Sequence, residues 1–347
     1  MNSSASCSKR STIPARRLIG ALVACLLTTV GVVLGVAPSR AVPASSAAVS
    51  AKGTGGACRL PYGPGQHTLT VLSGGLHRTV VIYIPDGYDG RRRLPLVLTL
   101  HGNLSTGSRQ LGLSELVFIA DQYDFILAAP QGHLRGQYGY RWNLPGVNLP
   151  AGRPSEDEKF LNDAIAYLTA NLCVDAKRIY GSGYAEGGQM ISQYACDFSD
   201  RLAAIGTVAG LSAGYRINDP GEPVPDPATC RPSRAMPVIT FAGTADEFYS
   251  YANVEAAVAR WAQLNLCRQG PRVDAVSATV SKLTYFACRR NAPVVLYRVA
   301  GGGHTWPGNE IFVPLVPVFG PVTFDIKANE LIWSFFTKHR LPVAAHR

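Results

Sequence analysis

Two loops and one glycine frame contain the residues best suited to chemistry. The first loop, Gly301-Gly302-Gly303-His304-Thr305-Trp306-Pro307-Gly308, offers an imidazole on a chain that its glycines allow to pack closely. The second, Phe241-Ala242-Gly243-Thr244-Ala245-Asp246, ends in a carboxylate able to orient an imidazole and stabilise its charged form. Earlier in the chain lies Gly181-Ser182-Gly183-Tyr184-Ala185-Glu186-Gly187-Gly188, and the small-residue frame G-x-S-x-G fits it only as residues 183–187. Such a set serves attack of a hydroxyl on a carbonyl carbon, and Ala185 stands where that hydroxyl belongs. A methyl group has no lone pair to attack with and no proton for His304 to take, so a covalent acyl intermediate is closed. Ser182 is the alternative nucleophile, at the cost of putting Tyr180 where the first glycine of the frame should be. The segment Leu100-His101-Gly102-Asn103 follows a strand at the position from which a backbone N–H contributes to an oxyanion hole, and the residue after the nucleophile position, Glu186, supplies another. The Glu186 carboxylate either swings outward or acts as a base toward water. His101 is expected to be structural, because His304 already fills the role of base.

These residues need a scaffold that brings distant segments together. Alternation over 78–84 predicts a strand, and Leu94–Leu100 is a nearly continuous apolar run, as in the buried centre of a parallel sheet. Further strands are predicted at 125–129, 178–180, Ala204–Val208, 238–242 and Val294–Val299. Helical patterns fall at 111–122, 158–171, 253–265 and 325–338. Alternating strands and helices predict an α/β fold of one domain, with a mostly parallel central sheet flanked by helices. Asp246 and His304 each follow a strand, and the chain order elbow, acid, His is that of an α/β-hydrolase. The aromatic segment 138–143 sits in a long loop and offers Tyr140 and Trp142 to a ligand or to packing; Trp306, in the His loop, is the third expected substrate contact. The apolar run 311–322 is expected to pack against the C-terminal helix, the alternative being an exposed lip.

The chain has 347 residues, 47% hydrophobic and 16% charged, which excludes a disordered protein. Five of the ten net positive charges lie in the first 41 residues without an acidic neighbour. The basic residues 9–17, the uncharged 18–37 and the small residues at 38–41 predict a secretory signal over 1–41, with an uncleaved anchor as the alternative. An Ala/Ser/Gly-rich segment over 42–57 then leads into a domain at 58–340 and a tail at 341–347. Only Arg91, Arg92 and Arg93 form a compact basic cluster, so no nucleic-acid partner is expected, nor a stable membrane span after cleavage. Six cysteines remain after the leader, an even number suited to disulfides outside the cytosol. Their neighbourhood in sequence suggests Cys267–Cys288, Cys196–Cys230 and Cys58–Cys173. The cysteine and histidine spacing suggests no metal site.

From about Cys58 to His339 the chain resembles the secreted polyhydroxybutyrate depolymerase and feruloyl esterase family of the α/β-hydrolase fold. The likeness lies in Leu100-His101-Gly102, Pro130-Gln131-Gly132, Cys173-Val174-Asp175, Gly187-Gly188, residues 243–246, residues 303–308 and Ile332-Trp333-Ser334-Phe335-Phe336. It implies a triad at Ala185, Asp246 and His304, an oxyanion hole bracketed by Asn103 and Glu186, and carboxylic-ester hydrolysis without metal or organic cofactor. The ligand would be an ester, a polyester or a cell-wall glycan, met outside the cell by a monomer. Ala185 and Glu186 depart from the family pattern. Three readings follow: an impaired esterase, an active hydrolase with its nucleophile elsewhere, and an extracellular binding protein that reuses the site.

Overall fold

The computed structural model describes residues 62–149, 155–217 and 223–342. The expected leader, the 42–57 segment and Cys58, and with it the Cys58–Cys173 pairing, lie outside the described residues. At the centre of the fold is β3 (Leu94–Leu100), every residue of which is buried. It pairs in parallel with β4 (Ile126–Pro130) on one side and β7 (Val174–Tyr184) on the other. The parallel core continues through β8 (Ala204–Val208), β11 (Val238–Gly243) and β14 (Val294–Val299). Antiparallel strands close both edges: β1 (Gly65–Ser73) and β2 (Leu76–Ile84) beside β4, and β13 (Val280–Phe286) and β12 (Gln269–Ala275) beside β14. The order of the ten strands is β1-β2-β4-β3-β7-β8-β11-β14-β13-β12. Two small ribbons stand apart from it, β5 (Leu134–Arg135) with β6 (Tyr140–Arg141), and β9 (Tyr215–Ile217) with β10 (Pro223–Pro225).

Because side chains alternate along a strand, the sheet feeds two cores. Leu96, Leu98 and Leu100 join Leu161, Met190 and Val258 on one face, from helices α3 (Glu156–Asn171), α4 (Glu186–Asp197) and α5 (Tyr251–Leu264). Val97, Ile239 and Val295 join Leu111, Ile119 and Phe336 on the other, from α1 (Gly107–Ser114), α2 (Leu116–Tyr123) and α7 (Ala328–Phe336). A mostly parallel sheet between two helical layers is the expected architecture. Helix α3 starts where its sequence says it should: Ser155 and Glu158 form a reciprocal capping box.

Three details differ from the sequence-based expectation. The single helix expected at 111–122 is two, broken at Glu115, which takes a left-handed φ of 52°. The excursion between Cys267 and Cys288 contains the β12–β13 hairpin, which has too weak an alternation to announce itself. The apolar run after the His loop, which includes the short helix α6 (Val316–Phe319), is not simply buried. Phe312 and Leu315 enter the core, but Val313 is 51% exposed and Ile311 and Val316 also face outward. Disulfides join Cys196 to Cys230 and Cys267 to Cys288, as expected. Among the described residues no helix is long and apolar enough to cross a membrane.

Candidate active site

The glycine frame forms a sharp turn from strand to helix. Strand β7 ends at Tyr184, α4 begins at Glu186, and Ala185 between them has φ 51° and ψ −122°. A residue with a Cβ resists that conformation, at a typical strain of about 1–3 kcal/mol. The surrounding glycines have a steric cause. A Cβ on Gly183 would lie 2.3 Å from the Gly187 carbonyl oxygen, one on Gly187 2.3 Å from that of Leu100, and one on Gly210 2.0 Å from that of Ala185. The Ala185 N–H donates to the Val208 carbonyl at 2.9 Å, holding the turn to β8.

Asp246 and His304 follow β11 and β14, parallel neighbours in the sheet, so their loops emerge side by side. His304 Nδ1 lies 2.7 Å from Asp246 Oδ2. The other carboxylate oxygen, Oδ1, accepts the backbone N–H groups of Phe248 at 2.8 Å and Tyr249 at 2.9 Å. With the carboxylate as acceptor, the imidazole proton is assigned to Nδ1, which leaves Nε2 as the basic nitrogen. Both side chains are buried. The imidazole is walled by the rings of Tyr184, Phe248 and Phe319, with centroids at 5.1, 5.2 and 6.2 Å. The Tyr184 hydroxyl donates to the His304 carbonyl at 2.6 Å, so the residue before Ala185 is tied directly to the His loop.

The loop after β3 approaches from the other side. A Cβ on Gly102 would sit 3.4 Å from the Ala185 Cβ. Asn103, next along, is exposed. His101 is buried, its Nε2 accepting from the Gly132 N–H at 3.0 Å and its Nδ1 paired with the Gly102 carbonyl at 2.8 Å. Burial pushes its pKa down to about 4, so it is a neutral structural group. Glu186 is buried too. Its Oε1 accepts from Arg141 Nε at 3.2 Å and a terminal guanidinium N–H at 3.1 Å, and its Oε2 from the Trp142 backbone N–H at 3.3 Å. Burial raises its pKa and the Arg141 charge opposes that rise. The carboxylate therefore has its partners in 141–142 and does not swing out into solvent.

Three expectations need correction. Trp142 is 0% exposed and its indole N–H donates to the His101 carbonyl at 2.8 Å, so the ring fills the core under the loop and offers no face to a ligand. Trp306 is 1% exposed, behind Tyr184; only Tyr140 of the three aromatics keeps accessible surface. Ser182 lies within β7, paired with β3 and β8 on either side, and its Oγ is buried without a hydrogen-bond partner. A hydroxyl so enclosed cannot reach a substrate. Sequence reasoning had no reading of the Arg141–Glu186 pair, since 45 residues separate partners that meet only across the fold. Among the described residues, no group of three or more His, Cys, Asp or Glu side chains is gathered to hold a metal ion.

No family model matches the chain. Its curated relatives include feruloyl esterase B of Piromyces equi, 26% identical over 242 residues, which span 65% of this chain and 42% of the relative. Feruloyl esterase D of Neurospora crassa is 25% identical over 193 residues, 52% of this chain and 61% of that protein. The chain thus spans less than two thirds of the length of these relatives. Among solved structures, an acetyl xylan esterase from Aspergillus awamori superposes with a TM-score of 0.58 at 15% identity, covering 73% of this chain and 99% of that one. The chain is therefore an α/β-hydrolase in fold, and its sequence relatives are esterases.

Proposed function

We propose that this chain is an extracellular protein of the polyhydroxybutyrate depolymerase and feruloyl esterase type that binds a carboxylic ester and is catalytically impaired by Ala185. The observation that carries the reading is an elbow held at φ 51° beside a hydrogen-bonded Asp246–His304 pair, with a methyl group where the hydroxyl belongs. Everything that would activate a serine is kept. Asp246 holds the imidazole tautomer, His304 Nε2 is the base, and the N–H groups of Asn103 and Glu186 receive the carbonyl oxygen as it gains charge. Without an Oγ no acyl bond to the protein forms. In another hydrolase, loss of the serine costs roughly a million-fold in turnover and leaves about 10³ to 10⁴ over water.

The ester itself is one of a polyester or of an acylated cell-wall glycan, on the strength of the resemblance and of the relatives' names. Two disulfides suit the expected export. The experiment is Ala185→Ser. The parent chain should not react with a fluorophosphonate probe, whereas the serine variant should be labelled at residue 185 and should hydrolyse a short-chain aryl ester at least 10³-fold faster. Rapid turnover by the parent chain, or an unlabelled and inactive serine variant, would refute the reading.

A further inference from the structure

The carboxylate beside the elbow has a task that the proposed reaction does not use. Glu186 is the first residue of α4; the proposed reaction uses its N–H, while its side chain turns to residues 141 and 142. Those two residues belong to a segment tied at several points to the loop that bears Asn103. Trp142 Nε1 donates to the His101 carbonyl at 2.8 Å, and the Tyr140 N–H to the Ser105 carbonyl at 2.8 Å. Gly139 packs so closely that a Cβ there would lie 2.4 Å from the Leu104 carbonyl carbon. Segment 101–105 is thus fastened at both ends to 139–142, and 141–142 is fastened to the elbow by one carboxylate.

We propose that Glu186 is a positioning residue whose side chain, through Arg141 and Trp142, fixes the loop carrying Asn103 at a set distance from the N-terminus of α4. This rests on the esterase reading for its purpose, but not for its geometry. The carboxylate and the Trp142 N–H are buried while the Arg141 side chain is 41% exposed, so the costly losses would be an unpaired carboxylate or a Trp142 N–H left without its acceptor. The pair also accounts for Glu at a position where the resemblance leads one to expect a small or amide residue.

Two measurements on the full chain test it. Hydrogen exchange needs no activity: Glu186→Ala should speed exchange of the Tyr140 amide, which Glu186 does not touch, at least tenfold. Glu186→Gln, whose single carbonyl oxygen can replace only one of the two carboxylate acceptors, should restore part of the protection, and amides of β14 should be unaffected. In the Ala185→Ser background, Glu186→Ala should lower kcat at least tenfold with KM within twofold, and Glu186→Gln should recover part of that loss. Unchanged exchange at Tyr140 would overturn the proposal, as would a rise in KM alone, the mark of a ligand contact. Should Ala185→Ser be inactive, the esterase reading fails while the exchange experiment still decides the role of Glu186.

Discussion

The Tyr184 hydroxyl and the His304 carbonyl are 2.6 Å apart, and this bond joins the elbow to the base loop without involving the residue between them that would be the nucleophile. Burial holds the phenol pKa well above its usual value, so the hydroxyl remains a donor through neutral pH. Tyr184→Phe strands a buried carbonyl and should cost about 1–3 kcal/mol in urea unfolding. In the Ala185→Ser background it should lower kcat about tenfold, with labelling by a fluorophosphonate slowed in proportion; equal labelling rates would show that the base loop needs no such tie.

Backbone strain at the elbow gives a second expectation. Glycine adopts positive φ freely, so Ala185→Gly should raise stability by about 1 kcal/mol after its larger unfolded-state entropy is set against the relieved strain. Gly210→Ala acts in the opposite direction, because its Cβ would press on the Ala185 carbonyl oxygen at 2.0 Å. A loss of about 1–3 kcal/mol is expected from such overpacking. Differential scanning calorimetry of the two variants against the parent checks both signs.

His101 and acid sensitivity form the third. Folded, this imidazole titrates at about 4, whereas the unfolded chain takes up the proton near 6.5. Below pH 6.5 the unfolded state binds the extra proton, so stability that is complete above pH 6.5 is lost as pH falls toward 4. The full loss is about 3 kcal/mol. Proton uptake on unfolding at pH 5, measured by urea titration across pH 7.5 to 4.5, is the check; a resonance assigned to the His101 imidazole of the folded protein with its midpoint near pH 6 would contradict it.

Glu158 works in the other direction. Burial, and next the neighbouring Asp197 carboxylate, raise its pKa to about 9, and its Oε1 is buried without a resolved hydrogen bond. The folded state therefore keeps a proton that the unfolded chain gives up in the usual carboxylate range. Stability should decline as pH rises from about 4.5 to about 9. Glu158→Gln preserves the capping box and should flatten that decline, so that the variant is the more stable protein at pH 9 and loses its advantage near pH 5.

Much of the scaffold was legible because it follows from periodicity. Leu94–Leu100 announces a central strand by composition, and residues 183–187, Asp246 and His304 announce the site by their place after strands. The misreadings share a cause. Whether Trp142 lines a pocket or fills a core depends on the Glu186–Arg141 pair and on the His101 carbonyl, partners more than 40 residues away. Ser182 looks like a hydroxyl beside the elbow until pairing with β3 and β8 encloses it. The split of 311–322 into buried Phe312 and exposed Val313 likewise reflects which side of a turn meets the rings of Tyr184 and Phe319, a matter of tertiary contact and not of hydrophobicity.

The position of β3 between β4 and β7 also sets a schedule for synthesis. Its second neighbour ends at Tyr184, roughly eighty residues downstream of Leu100. At a translation rate of about 5–20 residues per second, Leu94–Leu100 is made roughly 4–17 seconds before β7 exists to cover it. For that interval a strand whose every residue is buried in the finished fold has an open edge, which is a template for pairing with another nascent chain. Slowing elongation between residues 100 and 184 should therefore lower the yield of soluble protein more than the same pause placed after residue 184.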